Sequence, residues 1–100
     1  MLTPTISLDR ELIREFSQRN HIRKFSIFGS ALRADFSPDS DLDILVEFEP
    51  EHTPGLKFFA MQDELSRLLG RQVDLNTKGF LSPYFRDRVV REAQTIYEQK

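Results

Sequence analysis

Apolar residues recur along this chain in two rhythms, one helical and one strictly alternating, and the switches between them mark its elements. Leu8, Leu12, Ile13 and Phe16 share one helical face. Ser7 is placed to cap that helix, Asp9 and Glu11 sit in its first turn where negative charge suits the dipole, and Asn20 ends it. Lys24–Phe28 (KFSIF) reads as a short strand stopped by Gly29-Ser30, and the segment from Asp35 to Ser40 (DFSPDS) as a turn-rich loop. Asp41–Phe48 (DLDILVEF) alternates most clearly: Leu42, Ile44, Val46 and Phe48 fall on one face, Asp41, Asp43, Leu45 and Glu47 on the other. A loop with two prolines, Glu49 to Gly55, leads to a helix over Leu56–Leu69. Leu56, Phe59, Ala60, Leu65, Leu68 and Leu69 are assigned inward, and Gly70 is the stop. Gln72–Leu75 (QVDL) reads as a third strand. Ser82-Pro83 then looks like a cap with proline at the first helical position, opening a last helix to about Ala93 with Phe85, Val89 and Ala93 inward. Thr95-Ile96-Tyr97 is either a final short strand or the end of that helix. The order α-β-β-α-β-α predicts an α/β fold with helices on one mixed sheet.

At 100 residues the chain has the size of one domain, expected to span 1–100. Hydrophobic residues make up 39% and charged residues 30%, the balance of a globular chain rather than a disordered one. Apolar runs fall far short of the ~20 residues that cross a bilayer, and MLTPTISLDREL lacks the regions of a signal peptide, so a cytoplasmic location and no membrane partner are expected. The absence of cysteine excludes disulfides and thiolate metal sites. His21 and His52 stand far apart outside any ligand-spaced motif and read as loop residues. A metal site is therefore expected to be built mainly from oxygen, favouring magnesium, manganese or calcium over zinc. A formal net charge of −2 argues against nucleic acid as the main ligand.

The chemistry concentrates in Gly29-Ser30, ten intervening residues, then Asp41-Leu42-Asp43. Two residues apart on a strand, Asp41 and Asp43 project from one face with backbones roughly 6.5–7 Å apart. Alone, such a pair reads as solvated strand-end charge. Here Leu42 and Ile44 anchor the opposite face, so the carboxylates ride on a rigid element. If Val73 and Leu75 face the same core, Asp74 joins Asp41 and Asp43, and three converging carboxylates call for a divalent ion. Glycine lets backbone approach a phosphate closely, a following helical turn would aim N–H groups at it, and the Ser30 hydroxyl adds a hydrogen bond.

The string GSALRADFSPDSDLDILVEF resembles the signature of the DNA-polymerase-β-like nucleotidyltransferases, and closely the minimal nucleotidyltransferases paired with HEPN proteins in toxin–antitoxin modules. The likeness extends through LLGRQVDLNT and RDRVVREAQTIYE, nearly the whole chain. It implies a palm-like mixed sheet of three to four strands with helices mainly on one face. It implies that Asp41, Asp43 and Asp74 hold Mg2+, two ions in all, and are catalytic, that Gly29 and Ser30 bind the triphosphate, and that Arg33 contacts phosphate, although an ordinary surface arginine fits Arg33 equally. ATP is the implied donor: a hydroxyl attacks the α-phosphorus in line and pyrophosphate leaves. The chain departs from the pattern at Ala31, where a basic residue is frequent, and at Ala34, where glycine is, and keeps every metal ligand.

So small a palm has little material to enclose both nucleotide and acceptor, which points to a macromolecular acceptor. The resemblance makes it a HEPN toxin, modified on tyrosine by AMP and thereby silenced. The competing function is a catalytically weak module that neutralises a toxin by masking it. Transfer to a small molecule and a nucleotide-sugar Asp-x-Asp enzyme both lack the extra domain they need, and the P-loop signature is absent. Asp35 and Asp39 read as turn formers, Ser40 as a loop residue, Glu47 as too far along the strand to share a metal, and Lys78 as a surface lysine. Phe58, Phe59 and Phe80 read as core or interface.

Overall fold

The computed structural model describes residues 8–32 and 40–99. The expectations for Ser7, Arg33, Ala34, Asp35 and Asp39, and for the side chain of Ser30, lie outside the described residues. The first helix, α1, spans Arg10–Arg19, and its N-cap is Asp9, whose carboxylate accepts from the Leu12 backbone N–H at 3.1 Å. Asp9 thus caps the helix from outside rather than standing in its first turn. Asn20 ends it as expected, its side-chain amide donating to the Phe16 carbonyl at 2.8 Å. Ile13 and Phe16 are fully buried.

The sheet contains β1 (Ile22–Phe28), β2 (Leu42–Phe48), β3 (Val73–Asn76) and β4 (Gln94–Glu98), in the order β3-β2-β1-β4. β1 pairs antiparallel with both β2 and β4, while β2 and β3 are parallel, so the sheet is mixed as predicted. The undecided segment around Ile96 is a strand. Opposed residues Phe25 and Val46, Ile27 and Ile44, Leu42 and Val73, and Ile44 and Leu75 build one apolar face. Ile13 and Phe16 of α1 and Phe58, Met61 and Leu65 of α2 (Lys57–Leu69) join it in one core. The two longer helices therefore cover one face. An Arg19–Glu64 ion pair at 2.8 Å ties them together at the surface.

Two expectations about helices are corrected. In α2 the buried residues are Phe58, Met61 and Leu65, whereas Leu56, Phe59, Ala60 and Leu68 are exposed. Leu65 is buried and Leu69 half-buried as predicted, while Phe58 and Met61 meet the core in place of the other predicted residues. Gly70 does terminate it, in the left-handed conformation at φ 69°. The last helix, α3, spans only Arg86–Glu92. Ser82 to Phe85 forms a turn instead: the Ser82 hydroxyl accepts from the Tyr84 N–H at 3.3 Å, and its carbonyl from those of Phe85 and Arg86. Phe85 is exposed and Val89 and Ala93 are half-buried, so α3 leans on the fold rather than entering the core.

Candidate active site

β3 is an edge strand, and its register decides where Asp74 points. α2 supplies the partners: Ser66 Oγ accepts from the Val73 N–H at 3.1 Å, and Gln62 Oε1 from the Leu75 N–H at 2.9 Å. Val73 and Leu75 are buried, so the alternation of the strand turns Asp74 to the opposite face. There it stands directly across from Asp43, its register partner on β2. Backbones of adjacent strands lie about 4.8 Å apart, which makes the two carboxylates nearest neighbours on one surface.

Asp41 precedes Leu42 by one residue, and the chain is held on both sides of it. Arg71 donates to the Ser40 carbonyl at 3.0 Å, and the Leu42 N–H donates to the Gln72 carbonyl at 2.9 Å. The segment leading into β3 thus docks the segment leading into β2, and Asp41 lies between these two contacts, one residue ahead of β2. Asp41 and Asp74 are exposed and Asp43 is half-buried.

The third component is the turn after β1. Gly29 has φ +67°, a conformation that glycine adopts without strain, and opens a short 3-10 turn over Gly29–Leu32. The Asp43 carboxylate rests against its α-carbon, where any Cβ would overlap it. Phe28 is the register partner of Asp43, so β1 delivers the turn to the carboxylates. A cleft of about 460 Å³ opens beside Gly29, bounded by Phe28, Leu32 and, from α3, Arg88, Val89 and Glu92. Arg88 was not singled out from the sequence. One arginine among several in RDRVVRE carries no local signal, and only the docking of α3 sets it across from Gly29.

Glu47 shares this face but is committed elsewhere. It pairs with Arg23 at 3.0 Å and Lys78 at 3.6 Å. Burial alone would raise its carboxyl, but the Arg23 hydrogen bond and the charges of Lys78, Lys24 and Arg23 outweigh that and hold it below the usual glutamate value. Lys78 is correspondingly engaged at the protein surface. Phe80 is exposed, as is Phe59, so of the three phenylalanines weighed from the sequence only Phe58 is core. His21 and His52 do lie in loops, yet the fold stacks their rings with centroids 4.0 Å apart.

All-oxygen donors on a rigid, solvent-reachable surface suit a hard divalent cation such as magnesium. The register sets Asp43 and Asp74 side by side as two carboxylates from different strands. Backbone at a glycine turn and a guanidinium across a cleft suit phosphate.

Residues 9–96 match the nucleotidyltransferase domain family. Protein adenylyltransferase MntA of Thermococcus cleftensis is 40% identical over 79 residues, covering 79% of this chain and 79% of that protein. MJ0128 of Methanocaldococcus jannaschii, which also bears a protein adenylyltransferase name, is 39% identical over 99 residues, covering 93% of this chain and 97% of the relative. Among solved structures, a minimal nucleotidyltransferase superposes with TM-score 0.69 at 37% identity, over 84% of this chain and 85% of that one. A toxin–antitoxin crystal structure with AMP-PNP superposes with TM-score 0.75 at 20% identity, over 93% and 76% of the two chains, a likeness of fold. The same holds for a complex of tri-AMPylated Shewanella oneidensis HEPN toxin with MNT antitoxin, at TM-score 0.66 and 20% identity over 90% and 70%.

Proposed function

The chain belongs to the nucleotidyltransferase domain family, and from that premise we propose that it is a magnesium-dependent protein adenylyltransferase that moves AMP from ATP onto a HEPN-type toxin and so neutralises it. The observation that carries this reading is the register of β2 and β3, which makes Asp43 and Asp74 neighbours beside the Gly29 turn. The names of the relatives, protein adenylyltransferases and an antitoxin in complex with an AMP-modified HEPN toxin, supply the acceptor class.

In this mechanism Asp41, Asp43 and Asp74 would hold magnesium, which would supply neutralisation of phosphate charge. Gly29 and Ser30 offer backbone N–H groups to the triphosphate. Arg88 faces the same cleft and neutralises phosphate charge from the other wall. Asp74, exposed at the sheet edge, is positioned to accept a hydrogen bond from the incoming tyrosine hydroxyl and orient it for in-line attack on the α-phosphorus. The hydroxyl oxygen bonds to phosphorus, the bond to the β,γ-diphosphate breaks, and the hydroxyl proton leaves to solvent or carboxylate. Positioning and electrostatics carry most of such a reaction.

A protein acceptor suits the surface. Leu56 is 86% exposed, Phe59 65% and Tyr84 99%, and large apolar groups left in water commonly mark protein interfaces. The test uses purified full-length chain, the HEPN-type product of a neighbouring gene, α-labelled ATP and magnesium. Label on the toxin and restored cell growth are expected from the wild type and not from the Asp41→Asn, Asp43→Asn double variant. A double variant that binds the toxin and still protects cells fully would overturn catalysis in favour of masking.

A further inference from the structure

At the end of the β1–β2 pair remote from the aspartates, three side chains from two stretches of sequence converge. His21 precedes β1, Glu49 follows β2, and His52 lies in the loop beyond. We propose that His21, Glu49 and His52 form a binding site for a divalent transition metal of the zinc class, distinct from the aspartate face. One potential ligand atom from each residue can be chosen so that all lie within 4.8 Å of one another. Around a single four-coordinate zinc, with bonds of ~2.0–2.2 Å, ligand atoms stand about 3.3 Å apart, so modest side-chain rotation closes the gap.

The backbone is already knotted around this point. The Glu49 N–H donates to the His21 carbonyl at 2.8 Å, and the His52 N–H to the Glu49 carbonyl at 3.1 Å. Gln99, itself held by its backbone N–H on the Arg23 carbonyl at 2.8 Å, donates its side-chain amide to Glu49 Oε2 at 2.8 Å. That outer contact orients the carboxylate and leaves Oε1 facing His21 Nδ1 at 3.7 Å. The imidazoles lie nearly parallel, 14° apart, with centroids separated by 4.0 Å. Both histidines are exposed, so turning the rings out of the stack toward a common ion meets little obstruction. Two imidazoles and one carboxylate are a donor set for zinc, nickel or copper rather than magnesium. Three protein ligands leave a coordination position for water. Six residues of extended strand separate Ile22 from Phe28, placing this cluster about 20 Å from the Gly29 turn. The proposal therefore stands or falls independently of the adenylyltransferase reading.

The test titrates untagged full-length chain carrying Asp43→Asn, which disables the aspartate face, with zinc by calorimetry and with cobalt(II) by absorption. One ion per chain is expected, with the visible bands of four- or five-coordinate cobalt. In the same background, His52→Ala and His21→Asn should each weaken zinc by at least the ~10–100-fold that loss of even an outer partner costs. Asparagine is chosen because His21 has φ 57° and asparagine tolerates that region. Unchanged circular dichroism in each variant shows that the fold persists. Zinc affinity that is unaltered in both variants, or cobalt spectra of a six-coordinate, all-oxygen ion, would overturn the site.

Discussion

The two ends of the β1–β2 pair bring ionisable side chains near one another by opposite means. At one end the strand register sets Asp43 of β2 across from Asp74 of its parallel neighbour, with Asp41 one residue ahead of β2. At the other, His21, Glu49 and His52 are assembled by loops and by hydrogen bonds between backbone segments. Each end also carries a residue with positive φ, Gly29 at +67° and His21 at 57°. At Gly29 the absence of a side chain is required twice, by the backbone angle and by the Asp43 carboxylate against it. At His21 the side chain is kept in spite of the angle. A rigid strand yields a cluster with a local sequence signature; a loop-built cluster has none.

The largest effect that would sharpen this contrast concerns Asp74. Asp74→Asn keeps size and register, so transfer of labelled AMP should fall by more than ~100-fold while thermal unfolding changes little. Retained transfer would remove β3 from the chemistry and leave only the strand pair from β2. An intermediate effect compares Gly29 with His21. Gly29→Ala should cost about 1–2 kcal/mol in urea unfolding and displace Asp43, lowering transfer as well. His21→Gly should leave stability within about 1 kcal/mol and transfer unchanged, because relief of the backbone offsets the added freedom of the unfolded chain. Equal costs at both positions would erase the distinction between the two ends.

The smallest effect lies between them, at Glu47. Its carboxyl is held below the ordinary value in the folded state, so its ionised form contributes stability above the unfolded glutamate value and loses it as pH falls through the folded one. Glu47→Gln should therefore be less stable than the parent at pH 7 by a few tenths to about 1 kcal/mol, since its ion pairs reach the surface. The gap should narrow as pH falls below the ordinary glutamate value and close once it is below the lowered folded one, followed by urea unfolding across pH. A gap that widens toward acid would reverse the assigned sign.

Where the sequence reading failed, the failures share a cause. α2 carries Phe58, Phe59, Ala60, Met61, Leu65, Leu68 and Leu69 after its N-cap Leu56, apolar around much of its circumference, so periodicity admits two adjoining inward faces. The sheet chose the one containing Phe58 and Met61, and the rejected residues were left as an exposed apolar surface. Ser82-Pro83 carries a helix-start signature, yet the Ser82 hydroxyl closes a local turn and the helix begins at Arg86. By contrast the faces of β2 and the sides of Val73 and Leu75 were readable, because a strand offers only two choices and burial selects one.

By itself the sequence determined which carboxylates share a side, where β1 must stop, and that a glycine stands at the stop, since these follow from the period of two and from backbone sterics within a few residues. Tertiary structure alone decided that Asp74 stands opposite Asp43, that Arg88 and Gly29 line one cleft, and that two distant histidines meet a glutamate. Those juxtapositions depend on strand order, on α2 satisfying the edge of β3, and on how loops close, and such long-range pairings leave no trace in local spacing.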